Sequence, residues 1–426
     1  MSKLLIIIQN KELLIALYFL LFILGFTTGF SYSFYNEYRF FEIVVLLTFS
    51  FNAIFNKQFV ITKLELLFLL FLVVGGFFWQ QPIFSITELL LVYLLYKSFQ
   101  VLDYNNVITR IIILSTFLLF LLLPLSLFDY IKTGNYEANW YPLPWNIRVY
   151  NSYFLVISIL STWLYLAEEK YKIFYLILLF LAFFAVLLDG GRSVTIAYTV
   201  FIVFMSLAYR SIRWHLVGVY TASWLAYLSL TYYAISSRSS ELRILRTATY
   251  ERLDLLVNAY NCWLQSPILG CGFYQLENYK DIAAHPHNLY LQVLSETGLV
   301  GFSFLVYVII IIVKNIEWQN IHSYFAVAGL LAISIDFLFS GVHIYPVTQM
   351  ALLWLFIFLL KNPIFPHAQY YNRGIPKASP AQYKLSVVVF VAIAAWLLYI
   401  GLRAFTFGSD MPMTPPRFWV YGYKLF

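Results

Sequence analysis

Apolar residues occupy this chain in long unbroken blocks separated by short polar interruptions. Read as spans, the blocks lie near 12–30, 41–56, 64–79, 83–97, 111–129, 149–167, 173–188, 193–209, 216–235, 298–313, 322–341, 347–360 and 386–405. About 17–25 apolar residues cross a hydrocarbon core as a helix. Continuous apolar runs, as opposed to alternating ones, exclude a membrane β-barrel. The pattern therefore predicts an all-α, polytopic membrane helical bundle of about 12–13 transmembrane helices, with 83–97 and 347–360 as tilted partial spans. Residues 1–426 read as a single integral membrane domain, without internal repeat, low-complexity tract or separate soluble domain. Leu13–Phe30 is too long for the apolar region of a signal peptide and no small-x-small site follows it, so it is expected to remain as the first span.

Composition sharpens this picture. Hydrophobic residues make up 62% of the chain and charged ones 11%, against about a quarter charged in soluble domains; mean hydropathy is +0.78. The net charge of +7 does not call for nucleic acid, because Lys and Arg collect in alternate short loops: Lys57 and Lys63, Lys97 and Arg110, Lys170 and Lys172, Arg210 and Arg213, Lys314, then Lys361, Arg373, Lys377 and Lys384. Such loops are cytoplasmic by the positive-inside rule. Two longer polar segments then face the other side, as does the C-terminal tail ending PRFWVYGYKLF. The smaller segment, 130–148, is aromatic (NYEANWYPLPWNIR); the larger, 236–287, carries ten charged side chains. Cys262 and Cys271 lie in the larger one. An incidental pair of thiols is the expected reading, with a disulfide in an oxidising compartment as the alternative.

Candidate chemistry concentrates in the larger segment. Thr247–Gln265 reads as an amphipathic helix: Leu253, Leu256, Val257, Tyr260, Trp263 and Leu264 follow helical spacing, opposite Glu251, Asp254, Asn258, Asn261 and Gln265. It would lie along the membrane surface or against the bundle. Arg252, at the border of the apolar face, either snorkels at the interface or offers its rigid fork to a lipid phosphate. Ser266–Gly272 is a helix stop and a glycine turn, with Gly270 and Gly272 as supporting positions. His285-Pro286-His287-Asn288 then leads into a helical pattern on which Asn288, Gln292 and Ser295 share one side. Pro286 fits a first helical turn, which places His287 at a helix N-terminus, where the dipole keeps the imidazole neutral and able to accept a proton. Capping or interfacial histidines are the plain alternative. No further His, Cys or carboxylate stands at ligand spacing, so neither a metal nor another cofactor is expected. A second constellation, Asp189-Gly190-Gly191-Arg192-Ser193, interrupts the apolar run on the same side. Arg192, Arg252 and Arg148 are candidates to converge on one dianionic group, since charge-assisted bidentate contacts are the strong class.

These stretches resemble the O-antigen ligase superfamily, which includes pilin-type O-oligosaccharyltransferases and is related to O-antigen polymerases. The likeness rests on GGRSVTIA at 190–197, ERLDLLVNAYNCWLQSPILGCGF at 251–273 and HPHNLYLQVLSETGLVG at 285–301, the last carrying His-x-His-Asn and a trailing Glu-x-Gly-x-x-Gly. The resemblance implies a multi-span glycosyltransferase of the bacterial inner (cytoplasmic) membrane with its active site facing the periplasm, so that 236–287 and 130–148 become periplasmic loops. It implies an inverting, metal-independent transfer of a preassembled glycan from undecaprenyl pyrophosphate to a hydroxyl of lipid A–core or of a Ser/Thr in a pilin-like protein. By carry-over, Arg192 and Arg252, with Arg148, hold the pyrophosphate, His287 activates the acceptor, and His285 orients it or contacts phosphate. Trp140, Tyr141 and Trp145 offer either a sugar-stacking platform or interfacial anchors. Many O-antigen ligases have 12 spans and cytoplasmic ends, whereas thirteen spans put this C-terminus outside, as in the protein-glycosylating branch; the large soluble C-terminal domain of some of those enzymes is missing. The competing readings are a polymerase of repeat units and a transporter of the lipid-linked glycan. A transporter calls for inverted repeats and broken segments near the midplane, while the polar groups here gather at one face.

Overall fold

The computed structural model describes residues 11–30, 33–237, 250–278, 285–371, 379–405 and 417–419. Among them it is all-helical, with no strand. The helices are α1 Lys11–Ile23, α2 Phe34–Phe55, α3 Lys63–Phe78, α4 Pro82–Val101, α5 Asn106–Ser115, α6 Leu123–Thr133, α7 Ile147–Ala167, α8 Lys172–Leu188, α9 Arg192–Ala208, α10 Arg213–Ser237, α11 Tyr250–Gln265, α12 Leu289–Lys314, α13 Ile321–Phe339, α14 Pro346–Lys361 and α15 Pro380–Phe405. Every predicted span overlaps a helix, although the first, 12–30, is helical only to Ile23, and the chain is a multi-pass membrane protein. Seven segments are long and apolar enough to cross a membrane by themselves (α2, α4, Asn106–Thr133, α7, α12, α13 and Pro380–Arg403); α8, α9 and α14 are shorter apolar helices.

Boundaries depart from the reading where local chemistry intervenes. The expected span 111–129 is broken, since α5 passes into a 3₁₀ turn at Thr116–Phe120 and α6 restarts with Pro124 in its first turn. Proline blocks the helical hydrogen bond and crowds the preceding turn. The Thr116 hydroxyl bonds Ile112 O at 2.8 Å and meets the Tyr153 hydroxyl at 2.9 Å, which ties the break to α7. The predicted 298–313 begins nine residues earlier, at Leu289, because Asn288 caps α12, its side chain accepting from Leu291 N–H at 2.9 Å.

α7 is buried along nearly its whole length and forms the axis of the bundle, whereas α12 is largely exposed. Outward positions are apolar, Phe55, Phe77 and Leu121 among them, as expected of a surface facing lipid. The two ends of the bundle hold different buried groups. At one end, Lys97 is buried against Glu65 and Val60 O, and Lys361 against carbonyls of Phe99, Gln100 and Leu102. The opposite end gathers the start of α4, α7 and α9, the α13–α14 turn and the segment 266–289. All of the candidate chemistry sits there.

Candidate active site

The predicted amphipathic helix is present as α11; its first three expected residues, Thr247 to Thr249, lie outside the described residues. The face that packs inward is not the one the spacing suggests. Leu255, Ala259 and Cys262 are buried, together with Leu276 and against Cys271 and Leu291, while Leu253, Val257, Tyr260 and Leu264 are exposed. The stronger apolar stripe is thus left for the membrane and a weaker, smaller one seats on protein. Arg252 lies one turn before Leu255 and Leu256, so it points to the interior and not to the lipid boundary. Cys262 and Cys271 form a disulfide across a Cα separation of 5.7 Å, against the expectation of incidental thiols.

The glycine turn locks α11 onto α12. Cys271 N–H bonds Ser295 O at 2.9 Å and Gly272 N–H bonds Glu296 O at 3.2 Å, while Leu299 and Val300 N–H return to Pro267 O and Ile268 O at 2.9 and 3.2 Å. The exchange needs a break in α12, supplied by Gly298 at φ +64°, and close passage at Gly270, also at positive φ. A Cβ on Gly298 would sit 2.3 Å from Ile268 O, and one on Gly270 2.3 Å from the Glu296 carbonyl carbon. Gly298→Ala is expected to destabilise by at least the roughly 1–3 kcal/mol of a disfavoured backbone region, whereas Gly218→Ala, inside α10 where a Cβ meets nothing within 4 Å, is expected to leave stability unchanged or raise it slightly. Thermal unfolding of both variants in detergent distinguishes them; equal midpoints would remove the lock.

His287 is not in the first turn of α12. It precedes the Asn288 cap and adopts φ +54°, a left-handed conformation uncommon outside glycine and frequent where strain serves a site. Pro286 is correspondingly outside the helix. His285 is buried and its Nδ1 accepts the His287 backbone N–H at 3.3 Å, the two rings 4.2 Å apart. The second histidine therefore shapes the turn that presents the first. Arg148 Nη1 stands 3.4 Å from both ring nitrogens of His287, a loose contact in which a neutral imidazole accepts. Burial, then Arg148 and Arg252, hold the His287 imidazolium down to about 3. Buried His285 is likewise held well below the ordinary value, burial first and neighbouring positive groups after. Desolvation and two guanidiniums thus favour the neutral His287 ring.

Beside this turn is a cavity of about 250 Å³ whose lining includes Arg148, Arg192, Arg252, Asp189, Asn151 and Ser340. The three arginines come from α7, the start of α9 and α11. Burial and the charges of Arg148 and Arg192 push the Arg252 pKa down, so the guanidiniums repel one another at close range. Asp189 is the one carboxylate among the described lining residues, and its oxygens accept from Tyr136 and Tyr141 hydroxyls at 2.8 and 2.6 Å. Those phenols belong to segment 130–148, which folds inward: Trp140, Tyr141 and Trp145 are all buried, so they form neither a sugar-stacking surface nor interfacial anchors. Among the described residues no three His, Cys, Asp or Glu side chains converge as metal ligands.

Sequence reading missed His343 and Arg417. His343, on the short turn Val342–Ile344, donates at Nε2 to Gln292 Oε1 at 2.9 Å and lies with its ring 6.4 Å from that of His285. Arg417, from the C-terminal segment, is fully buried against Glu296 and Glu88. Glu88 and Glu296 are carboxylates inside apolar runs, and such residues are retained only with partners; that was the signal available.

Residues 177–306 match the family model described as O-antigen ligase, a span from α8 into α12 that holds Arg192, Arg252, His285 and His287 and leaves Arg148 outside. No curated protein and no solved structure matches the chain. The 177–306 segment, which holds most of the site just described, is similar to the O-antigen ligase family.

Proposed function

We propose that the protein is a glycosyltransferase that moves a preassembled glycan en bloc from undecaprenyl pyrophosphate to an acceptor hydroxyl, lipid A–core sugar or a Ser/Thr of a pilin-like protein, on the periplasmic face of the bacterial inner membrane. The observation that carries this reading is the meeting of three guanidiniums from three helices at one cavity, with a neutral imidazole in contact with one of them. Like charges gathered at a cost to themselves mark a site built for an anion. In the proposed step His287 takes the proton of the acceptor hydroxyl, the oxygen attacks the anomeric carbon with inversion, and the bond to pyrophosphate breaks. The electron pair leaves with the pyrophosphate, and Arg148, Arg192 and Arg252 stabilise the charge that accumulates there. Two features support the orientation: the Cys262–Cys271 disulfide suits an oxidising compartment, and the buried lysines stand at the opposite end of the bundle.

The test is transfer in proteoliposomes from a synthetic undecaprenyl-pyrophosphate-linked sugar to lipid A–core or pilin acceptors, with and without chelator. Glycan on the acceptor, undiminished by chelator, is expected; lengthened lipid-linked product would instead identify a polymerase, and activity restored only by added divalent metal would reject the metal-free step. The pH dependence gives a sharper check. A base works deprotonated, so rate is lost as pH falls through its pKa. In the free enzyme that pKa is about 3, which puts the acid limb of kcat/KM far below the ordinary histidine range; bound pyrophosphate neutralises Arg148 and Arg252, so the limb of kcat is expected at higher pH. Coincident limbs near 6.5 would sink this assignment.

A further inference from the structure

The C-terminal segment Arg417-Phe418-Trp419 enters the bundle at the site end and is fixed there by its backbone. Arg39 Nε donates to Phe418 O at 2.7 Å, the Tyr35 hydroxyl donates to Arg417 O, and Phe418 N–H reaches the Tyr274 hydroxyl at 3.2 Å. Trp419 is fully buried with its ring 5.4 Å from Phe84. Arg39 also donates to Ile344 O, so one guanidinium joins the tail to the turn bearing His343. The Arg417 guanidinium lies over Phe273 and Tyr274, 4.6 and 5.1 Å from their centroids. It forks onto the Glu296 carboxylate, Nη2 to Oε2 at 2.6 Å, and Nε meets Glu88 at 2.8 Å.

A line of contacts leads on from that fork, hydrogen-bonded as far as His343. Glu296 Oε2 accepts from Gln292 Nε2 at 3.2 Å, which leaves Gln292 Oε1 facing His343 Nε2 at 2.9 Å. The His343 ring packs edge-on to that of His285 with centroids 6.4 Å apart, and His285 Nδ1 receives the His287 N–H. We propose that Arg417 is a positioning residue for His287, holding the left-handed turn in place through Glu296, Gln292, His343 and His285. Buried ion pairs are poor sources of stability relative to apolar packing, and this one is spent on the carboxylate of the helix that His287 introduces. The inference rests on the proposed role of His287.

The experiment uses the full-length protein with Arg417→Ala, Arg417→Lys and His287→Ala in the proteoliposome assay, with ¹⁵N-histidine NMR of the same samples in detergent. Misplacement of a catalytic group by about 1 Å costs on the order of 10²-fold, so Arg417→Ala is expected to lower kcat by that factor with little change in donor KM, and guanidinium ion is expected to restore part of it. The His287 resonance, identified by its loss in His287→Ala, is expected to shift and to titrate differently in a field still set by Arg148, Arg252, His285 and His343. Should Arg417→Ala fail to accumulate, Arg417→Lys, which keeps the charge and loses the fork, carries the same expectation. Unchanged kcat and an unmoved His287 resonance in Arg417→Lys or Arg417→Ala overturn the proposal. Full activity in His287→Ala overturns the underlying role of His287, whatever the Arg417 variants do.

Discussion

Replacing His287 with alanine is expected to lower glycan transfer by about 10²–10⁴-fold, the usual worth of a positioned proton acceptor, in protein that still inserts and binds donor. Binding should survive because the imidazole is neutral in the free enzyme, its pKa held at about 3, and adds no charge to the anion site. Removing it also removes a partner of Arg148, so a modest change in donor affinity is consistent while a large one is not. The discriminating measurement is kcat beside the Kd for undecaprenyl pyrophosphate. A wild-type kcat would end the proposed base; a lost Kd with intact kcat would move His287 into the binding machinery.

Arg252→Ala is expected to act in opposite directions on function and stability. Each charge-assisted hydrogen bond to a phosphate oxygen contributes about 1.5–3 kcal/mol, so losing this guanidinium should weaken donor binding by roughly 10- to 150-fold. In the absence of donor, however, Arg252 is disfavoured by burial and by Arg148 and Arg192, and its removal relieves that repulsion. The variant should therefore unfold at a higher temperature in detergent than the parent, the signature of a group kept for binding at the expense of the fold. Arg252→Lys should recover little, since an ammonium cannot reproduce the bidentate fork. A variant that is less stable and binds donor normally would show Arg252 to be a structural residue.

The helical bundle was legible because unbroken apolar blocks have few other solutions, and the three arginines and His287 because polar groups are scarce in such a chain. What escaped was set by tertiary contact. The face of α11 that packs inward is chosen by the disulfide and by Leu276 and Leu291, not by its strongest stripe. The turn at His287 is decided by the Asn288 cap and the His285 acceptor, so Pro286 falls outside the helix. The aromatics of 130–148 turn inward because two phenols bind Asp189. Arg417 stands far along the chain from its partner Glu296, and no local spacing could join them.

The backbone exchange between 267–272 and 295–300 has a mechanical corollary. With α11 stapled to the kink of α12, Arg252 and His287 stand on joined segments, while Arg148 and Arg192 belong to α7 and α9. The Arg148–His287 contact therefore links the two groups, and it depends on how the kink of α12 seats α11.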